Sequence, residues 1–460
     1  MLIRFSIRNF LSFRDKQEFT MLAGGTTSHK NQIYNDNKVK ILKYSAIYGG
    51  NASGKSNVIK AIDAGKSILC DGLIKANLED KYFKLDNHSK EETYFDYEIK
   101  IGKKYYFYGF TVNLSESKIT GEWLLELLKN GKEKVIFSRN IKMKELETQK
   151  SFKEKEGEIK LKSWLDDSLY SDDKLFLKDV IDKKRDDLED LDVYRELYYW
   201  FEKNLVVIYP HTHHHDIDMV IENQYNIVEL VKKLDTGILD IKGKVVSREY
   251  LPDLFKKGVG EGIIDEMISK MQNEDVEKAM FSDGMNMFSM KYIEENGTIE
   301  FKKVIFIHSK LDHAEPLELH EESDGTRRII ELLQVLIKAQ KDGKTLLIDE
   351  LDRSLHPTLT YNLINYYLNS DMNNENTQLI ITTHEQSLLE LDLVRRDAIW
   401  FTEKDLQGNS TMFSLDKFNV RHDIRLKKAY LEGRFGGTPL IKTMVNKSYY
   451  DAEIIAERNE

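Results

Sequence analysis

The sequence predicts an α/β protein: a parallel sheet flanked by helices, an antiparallel β region beside it, and a helical insertion dividing the two halves of the sheet. Three observations predict this. An apolar strand at 44–48 runs into Gly49-Gly50, and helical spacing begins at about Lys55. Far along the chain, the short apolar runs 345–348 and 378–382 alternate with helical stretches at about 325–341 and 357–368. Apolar runs separated by helices indicate parallel strands buried on both faces. Between these regions, residues 91–124 alternate apolar and polar residues around the turn Gly102-Lys103-Lys104, which reads as an antiparallel meander.

Taken in order, residues 1–20 read as paired strands. Ile3, Phe5 and Ile7 alternate with Arg4, Ser6 and Arg8, and Phe10, Phe13 and Phe19 supply aromatic anchors. Residues 21–42 are polar and loop-like. The helix after Lys55 would bury Val58, Ile59, Ile62 and Ile68. Residues 140–203 are charged with helical apolar spacing, and 218–285 look helical again. Strand character returns at 286–319. The expected organisation is therefore 1–139 as the N-terminal half of one body, 140–285 as a helical insertion, and 286–460 as the C-terminal half. No heptad pattern lasts three or four repeats, so a long coiled coil is not expected.

Composition excludes several classes. The chain has 460 residues, of which 41% are hydrophobic and 32% charged, a globular balance and not a disordered one. No run approaches the ~20 apolar residues of a membrane span. The start, MLIRFSIRNF, alternates like a strand and lacks the layout of a signal peptide. A single cysteine, Cys70, rules out an internal disulfide framework or a cysteine-rich zinc site and fits a cytoplasmic location. A net charge of −10 argues against a uniformly basic nucleic-acid binder.

Chemistry concentrates in two motifs. Gly49-Gly50-Asn51-Ala52-Ser53-Gly54-Lys55-Ser56 matches G-x-x-x-x-G-K-[ST] between a strand and a helix. Such a loop wraps phosphates with backbone amides and aims a helix N-terminus at the anion. Lys55 would reach the β- and γ-phosphates of ATP, Ser56 would ligate Mg²⁺, and Asn57 follows on the first helical turn. The second motif, Thr345-Leu346-Leu347-Ile348-Asp349-Glu350, is an apolar strand ending in two carboxylates. Asp349 would hold the Mg²⁺ and Glu350 would act as the base on the attacking water.

With its tail Leu351-Asp352-Arg353-Ser354-Leu355-His356-Pro357, this second motif resembles the Walker B and D-loop of ABC-type ATPases, the class containing SMC, Rad50, RecF and OLD-type proteins. Three segments agree. Phe5 to Phe13 (FSIRNFLSF) resembles their opening strand, Glu322-Ser323-Asp324-Gly325-Thr326-Arg327-Arg328 stands where their signature precedes a helix, and Ile380-Ile381-Thr382-Thr383-His384 resembles the H-loop. The resemblance implies an ABC-type ATPase head that dimerises head to tail around two ATP molecules. It implies that Ser323, Gly325 and Arg327 address the partner's γ-phosphate and that His384 holds that phosphate or the attacking water. The signature is degenerate, and no Q-loop glutamine stands after the first helix, where the chain reads Tyr82-Phe83-Lys84-Leu85-Asp86.

Those departures resemble bacterial OLD-like, AAA-fifteen/twenty-one ATPases of phage-defence systems, of the AbiL and RloA type. Tyr44 to Ser56, Trp200 to Pro210, and Tyr430 to Pro439 (YLEGRFGGTP) resemble local segments of that group. The resemblance implies an ATP-hydrolysing sensor or switch in an abortive-infection system. Implied partners are a second copy of the chain, in a homodimer or higher homo-oligomer, a separately encoded effector, a nuclease, and a nucleic-acid or phage-derived trigger. No membrane partner is expected. The alternative is a DNA-binding repair or chromosome-associated ATPase of RecF/Rad50 type.

Other clusters carry less. His211-Thr212-His213-His214-His215-Asp216 could ligate a metal, but near-adjacent histidines rarely give a tetrahedral site unaided. Arg395-Arg396 and Arg425, Lys427 and Lys428 read as solvated helix faces rather than phosphate contacts. Asp216-Ile217-Asp218 fits D-x-D but lies in the insertion, far from where a Toprim nuclease would follow the ATPase, so a nuclease within this chain is not expected.

Overall fold

Alternation in the first twenty residues is realised as an antiparallel pair, and the first apolar strand as the centre of a parallel sheet. The computed structural model describes residues 1–437 except 37–38, 129–130, 185–186, 211–223, 235, 248–249, 252–268, 270–277, 283–285, 294–297, 312, 371–375 and 419–425. The N-terminal half contains β1 (Leu2–Arg8), β2 (Gln17–Thr20), β3 (Ile33–Asn35), β4 (Lys40–Leu42), β5 (Tyr44–Gly49), α1 (Lys55–Asp71) and α2 (Leu73–Ala76). There follow β6 (Thr93–Ile101), β7 (Lys104–Asn113), β8 (Lys118–Leu127), β9 (Glu133–Asn140) and β10 (Glu145–Thr148). The middle contains α3 (Lys155–Asp167), α4 (Phe176–Asp182), α5 (Asp192–Tyr199), β11 (Leu205–Ile208), α6 (Gln224–Lys233), β12 (Asp240–Val246) and β13 (Lys278–Ser282). The C-terminal half adds β14 (Met287–Ile293), β15 (Thr298–Ile307), α7 (Asp324–Asp342), β16 (Thr345–Ile348), α8 (Pro357–Asn369), β17 (Gln378–Thr382), β18 (Ile399–Lys404), β19 (Ser410–Ser414) and α9 (Leu426–Leu431).

The strands form two large sheets. One is antiparallel, in the order β10-β9-β8-β7-β6-β1-β2. The other runs β11-β16-β17-β5-β18-β19, parallel throughout except for β19. Helix α1 packs between them, which is why its burial includes Val58, Ile59, Ala61, Ile62, Gly65, Ile68 and Leu69. Gly65 is needed there: a methyl group at this position would strike the Tyr97 hydroxyl, which donates to Ile62 O at 2.9 Å. The sheets are also tied by Gln378. Its Oε1 accepts from Leu2 N at 2.6 Å, and its Nε2 donates to Leu2 O and Leu42 O.

The α/β class, the parallel sheet and the antiparallel subdomain stand as expected. The insertion is less helical than its apolar spacing suggested. Its helices α3, α4 and α5 pack on the antiparallel sheet, where Glu122 accepts from Phe176 N and Leu177 N and pairs with the fully buried Arg139. But β10 extends that same sheet, and β12 and β13 border a separate four-stranded sheet, β12-β15-β14-β13. Most important, β11 enters the parallel sheet beside β16. A four-residue apolar run, LVVI, is too short for periodicity to separate strand from helix, and pairing with β16 decides it. The polar stretch 21–42 likewise holds the small hairpin β3-β4.

Arg395 does not lie on a solvated face. It is buried, binds Asp397 through two nitrogens and donates to Ser28 O and Thr26 O. Arg396 pairs with Asp416 at 2.9 Å, and Lys428 with Glu432. Arg425, the cluster His211–His215 with Asp216 and Asp218, and Pro439 lie outside the described residues. Among the described residues, no helix is long and apolar enough to cross a membrane.

Candidate functional site

Three neighbouring strands of the parallel sheet end side by side, and each carries a motif at its C-terminal end. Strand β5 delivers Gly49-Gly50, β16 delivers Asp349-Glu350, and β17 delivers Thr383-His384. In open parallel sheets this edge is where ligands bind. Residues separated by some 300 positions are thus brought together by strand order alone.

The loop from β5 to α1 has the backbone its sequence requires. Ala52 sits at φ 61° and Gly54 at φ 112°, so the chain passes through left-handed conformations twice before the helix starts. Gly49 has no room for a side chain, since a methyl there would lie 2.6 Å from Thr402 O. Asn51 and Ala52 are exposed, Ser53 is buried, and Ser56 and Asn57 are half-buried on the first turn of α1. Lys55 is buried, and its Nζ donates to Gly49 O at 3.0 Å and Gly50 O at 3.1 Å. Burial lowers its pKa, opposed by the nearby carboxylates Glu350, Asp349 and Asp352. A partly desolvated ammonium at a mouth of backbone amides suits a polyanion.

The two carboxylates differ in setting. Asp349 is buried, its Oδ1 accepting from Thr382 Oγ1 at 2.5 Å, and its backbone N donates to Ile208 O. Glu350 is half-buried and held at φ 48°, a left-handed conformation uncommon for glutamate. Its backbone N donates to the same Thr382 hydroxyl at 2.8 Å. Thr382 therefore fixes both acids, a role the sequence did not reveal. Ser56 and Asp349 offer a hydroxyl and a carboxylate, the hard oxygen donors Mg²⁺ takes, so the residues present fit that ion. Thr382→Val keeps the shape but removes both bonds. We expect kcat to fall about tenfold or more with the fold intact, the usual cost of losing a group that orients a metal-binding carboxylate. Steady-state ATPase assays beside a melting curve check this.

His384 lies at the site's mouth, and its backbone N is held by the Asp352 carboxylate at 3.2 Å. Partial desolvation, then Lys55, lowers its pKa below the ordinary histidine value. The signature stretch forms the start of α7. The helix begins at Asp324, one residue earlier than its spacing suggested, because Ser323 is the N-cap and its Oγ accepts from Thr326 N at 3.1 Å. Ser323 is exposed, and Arg327 pairs with Asp324 within the turn. A methyl at Gly325 would lie 2.8 Å from Ser354 O, so the turn that opens α7 rests on the segment that follows Asp349-Glu350.

The stretch Tyr82–Asp86 packs against the opening segment and the β18–β19 hairpin. Phe83 N donates to Asn9 Oδ1, and Leu85 packs on Gly408 in the β18–β19 hairpin. Beside Asp349 stands Tyr209, at the end of β11, its hydroxyl donating to Asp63 on α1 at 2.8 Å. Burial pushes the Asp63 carboxyl up. The β5–α1 loop is braced from behind as well. Ser53 Oγ and Thr402 Oγ1 are 2.6 Å apart, and Asn57 Nδ2 donates to Ser12 Oγ. Thr402 lay in no motif, and Tyr209 and Thr382 lay inside resembling segments without a role of their own. Only their strand neighbours mark them.

A family model described as "AAA domain, putative AbiEii toxin, Type IV TA system" matches residues 45–390, well over half of the chain. No curated protein matches. Among solved structures, the SMC head domain from Thermotoga maritima is 13% identical with a TM-score of 0.35, covering 90% of this chain and 98% of that one. An SmcHead bound to the C-winged helix domain of ScpA is 12% identical with a TM-score of 0.41, over 90% of this chain and 98% of its own. Both likenesses are too distant to carry an argument.

Proposed function

The chain belongs to this family of AAA domains, and on that premise we propose that it is an ATP-hydrolysing, dimeric, ABC-type ATPase of the cytoplasm. It acts as a sensor or switch in a bacterial anti-phage system and controls a separately encoded effector, a nuclease. The observation that carries the ATPase reading is the meeting of Lys55, Asp349, Glu350 and His384 at one sheet edge, with Thr382 bonded to both acids. The family description, which names a toxin of a toxin–antitoxin system, supports a role in a regulated pair.

In this reading the loop amides and Lys55 bind the triphosphate, Ser56 and Asp349 hold Mg²⁺, and the ion shields charge on the phosphates. Glu350 takes the proton of the attacking water. His384 orients that water or the γ-phosphate. Ser323, with Gly325 and Arg327, meets the γ-phosphate of the partner copy.

Mixing two inactive variants tests the shared site. Gly325 is a poor place for the lesion, because any side chain there disturbs Ser354 of the same chain. Ser323 is exposed, and a glutamate there would set a negative charge against the partner's phosphates. Lys55→Ala and Ser323→Glu should each be inactive. A 1:1 mixture should recover about one quarter of wild-type turnover, since half the dimers are mixed and each has one intact site. No recovery despite demonstrated heterodimers would reject the head-to-tail arrangement with independent sites. Strong stimulation of wild-type hydrolysis by DNA would favour the DNA-repair reading instead.

A further inference from the structure

The segment Tyr430–Gly437, the described part of the YLEGRFGGTP stretch singled out in the sequence, has no task in the chemistry above. Its packing gives it one. After α9 the chain turns back through Gly433, Gly436 and Gly437, all at φ near +70°. Gly433 N donates to Tyr430 O, Arg434 N to Ala429 O and Gly436 N to Gly433 O. The Tyr430 hydroxyl closes the turn by donating to Gly437 O at 3.2 Å.

This turn lies against the base of the β5–α1 loop. A methyl at Gly437 would lie 3.4 Å from Thr402 O, 3.5 Å from Phe401 Cβ and 3.6 Å from Gly49 Cα. Gly49 is itself walled in by Ser53 and Thr402. Two glycines from opposite ends of the chain thus approach backbone to backbone. An aromatic layer holds them: Tyr430 stacks on Phe401 at 5.4 Å and meets Tyr48 edge-on at 6.0 Å, and Phe435 stacks on Phe401 at 6.1 Å. Gly49 O accepts from Lys55 Nζ, so the residue that Gly437 abuts also holds the phosphate-binding lysine.

We propose that the Tyr430–Gly437 turn is a positioning element for the nucleotide loop, seating Gly49 so that the loop amides and Lys55 are set for the triphosphate. This rests on the ATPase reading and adds a determinant of ATP affinity from the far end of the chain. A turn that served stability alone would change the melting temperature and leave ATP affinity untouched.

The test uses the full chain with Gly437→Val, Gly437→Ala and Tyr430→Phe. Valine at φ +67° adds a branched side chain against Thr402 O and Gly49, alanine adds less, and phenylalanine removes only the hydroxyl. The ATP Kd, by titration with a fluorescent ATP analogue, and KM should rise about tenfold in Gly437→Val and about threefold in the other two, with kcat within about twofold of wild type. A folded Gly437→Val with unchanged Kd and KM overturns the proposal, as does a lowered melting temperature with unchanged affinity. Should Gly437→Val not fold, Tyr430→Phe decides, and an unchanged KM there overturns it. If the wild type binds no ATP, the ATPase reading itself fails. If it binds, and Lys55→Ala alone loses binding, only the role of the turn falls.

Discussion

Replacing Glu350 by glutamine is expected to lower ATP turnover by about 100-fold or more while leaving ATP bound, because the amide keeps the size and cannot take a proton. The geometry favours a clean reading. Glu350 sits at φ 48°, and its position is set by its backbone N on Thr382, not by its carboxylate. Glutamine places no new atom in that turn and leaves the Thr382 bond to Asp349 in place. The acid loses its basicity and its charge, and that charge is one of those acting on Lys55. Single-turnover hydrolysis, measured beside nucleotide affinity, separates the two. Turnover near wild type would remove Glu350 from the role of base, and lost affinity would mean that it helps hold the metal.

Lys55→Ala is expected to weaken ATP binding by about 100-fold or more, since each charge-assisted bond to a phosphate is worth roughly 1.5–3 kcal/mol and Lys55, reaching both the β- and γ-phosphates, would make two. In the sequence Lys55 reads only as the residue that would reach the β- and γ-phosphates. The structure adds a part in the fold: the side chain is buried and bonded to Gly49 O and Gly50 O. Removing it leaves two carbonyls without that donor but also removes an ammonium whose burial lowers its pKa. These effects oppose each other, so stability should shift by only about 1–2 kcal/mol. Isothermal titration with ATP and a melting curve of the free protein check both halves. Unchanged affinity would sink the phosphate-loop assignment.

The glycine-rich loop between β5 and α1 was legible because its chemistry is contiguous. Glycines, lysine and serine lie within eight residues, and the flanking strand and helix announce themselves by local apolar spacing. The same holds for Asp349-Glu350 at the end of a four-residue apolar strand and for His384 after another. Arg395 was misread for the opposite reason. A doubled arginine looks solvated until Asp397, Ser28 and Thr26 are seen to satisfy it.

By itself, then, the sequence determined some of the local pieces: the strands β1, β5, β16 and β17, the glycine-rich loop after β5, and which acids follow an apolar run. Short-range periodicity and turn chemistry are enough for those. The tertiary structure decided the order of the strands. That order placed β11 and Tyr209 beside Asp349, set Thr402 behind Ser53, put one Thr382 hydroxyl between two acids, and laid Gly437 on Gly49. Each of these is a contact between residues far apart in the chain, made by backbone approach or by a single hydroxyl. Such contacts leave no periodic trace in sequence, because their partners are chosen by the packing of whole sheets and not by neighbouring residues.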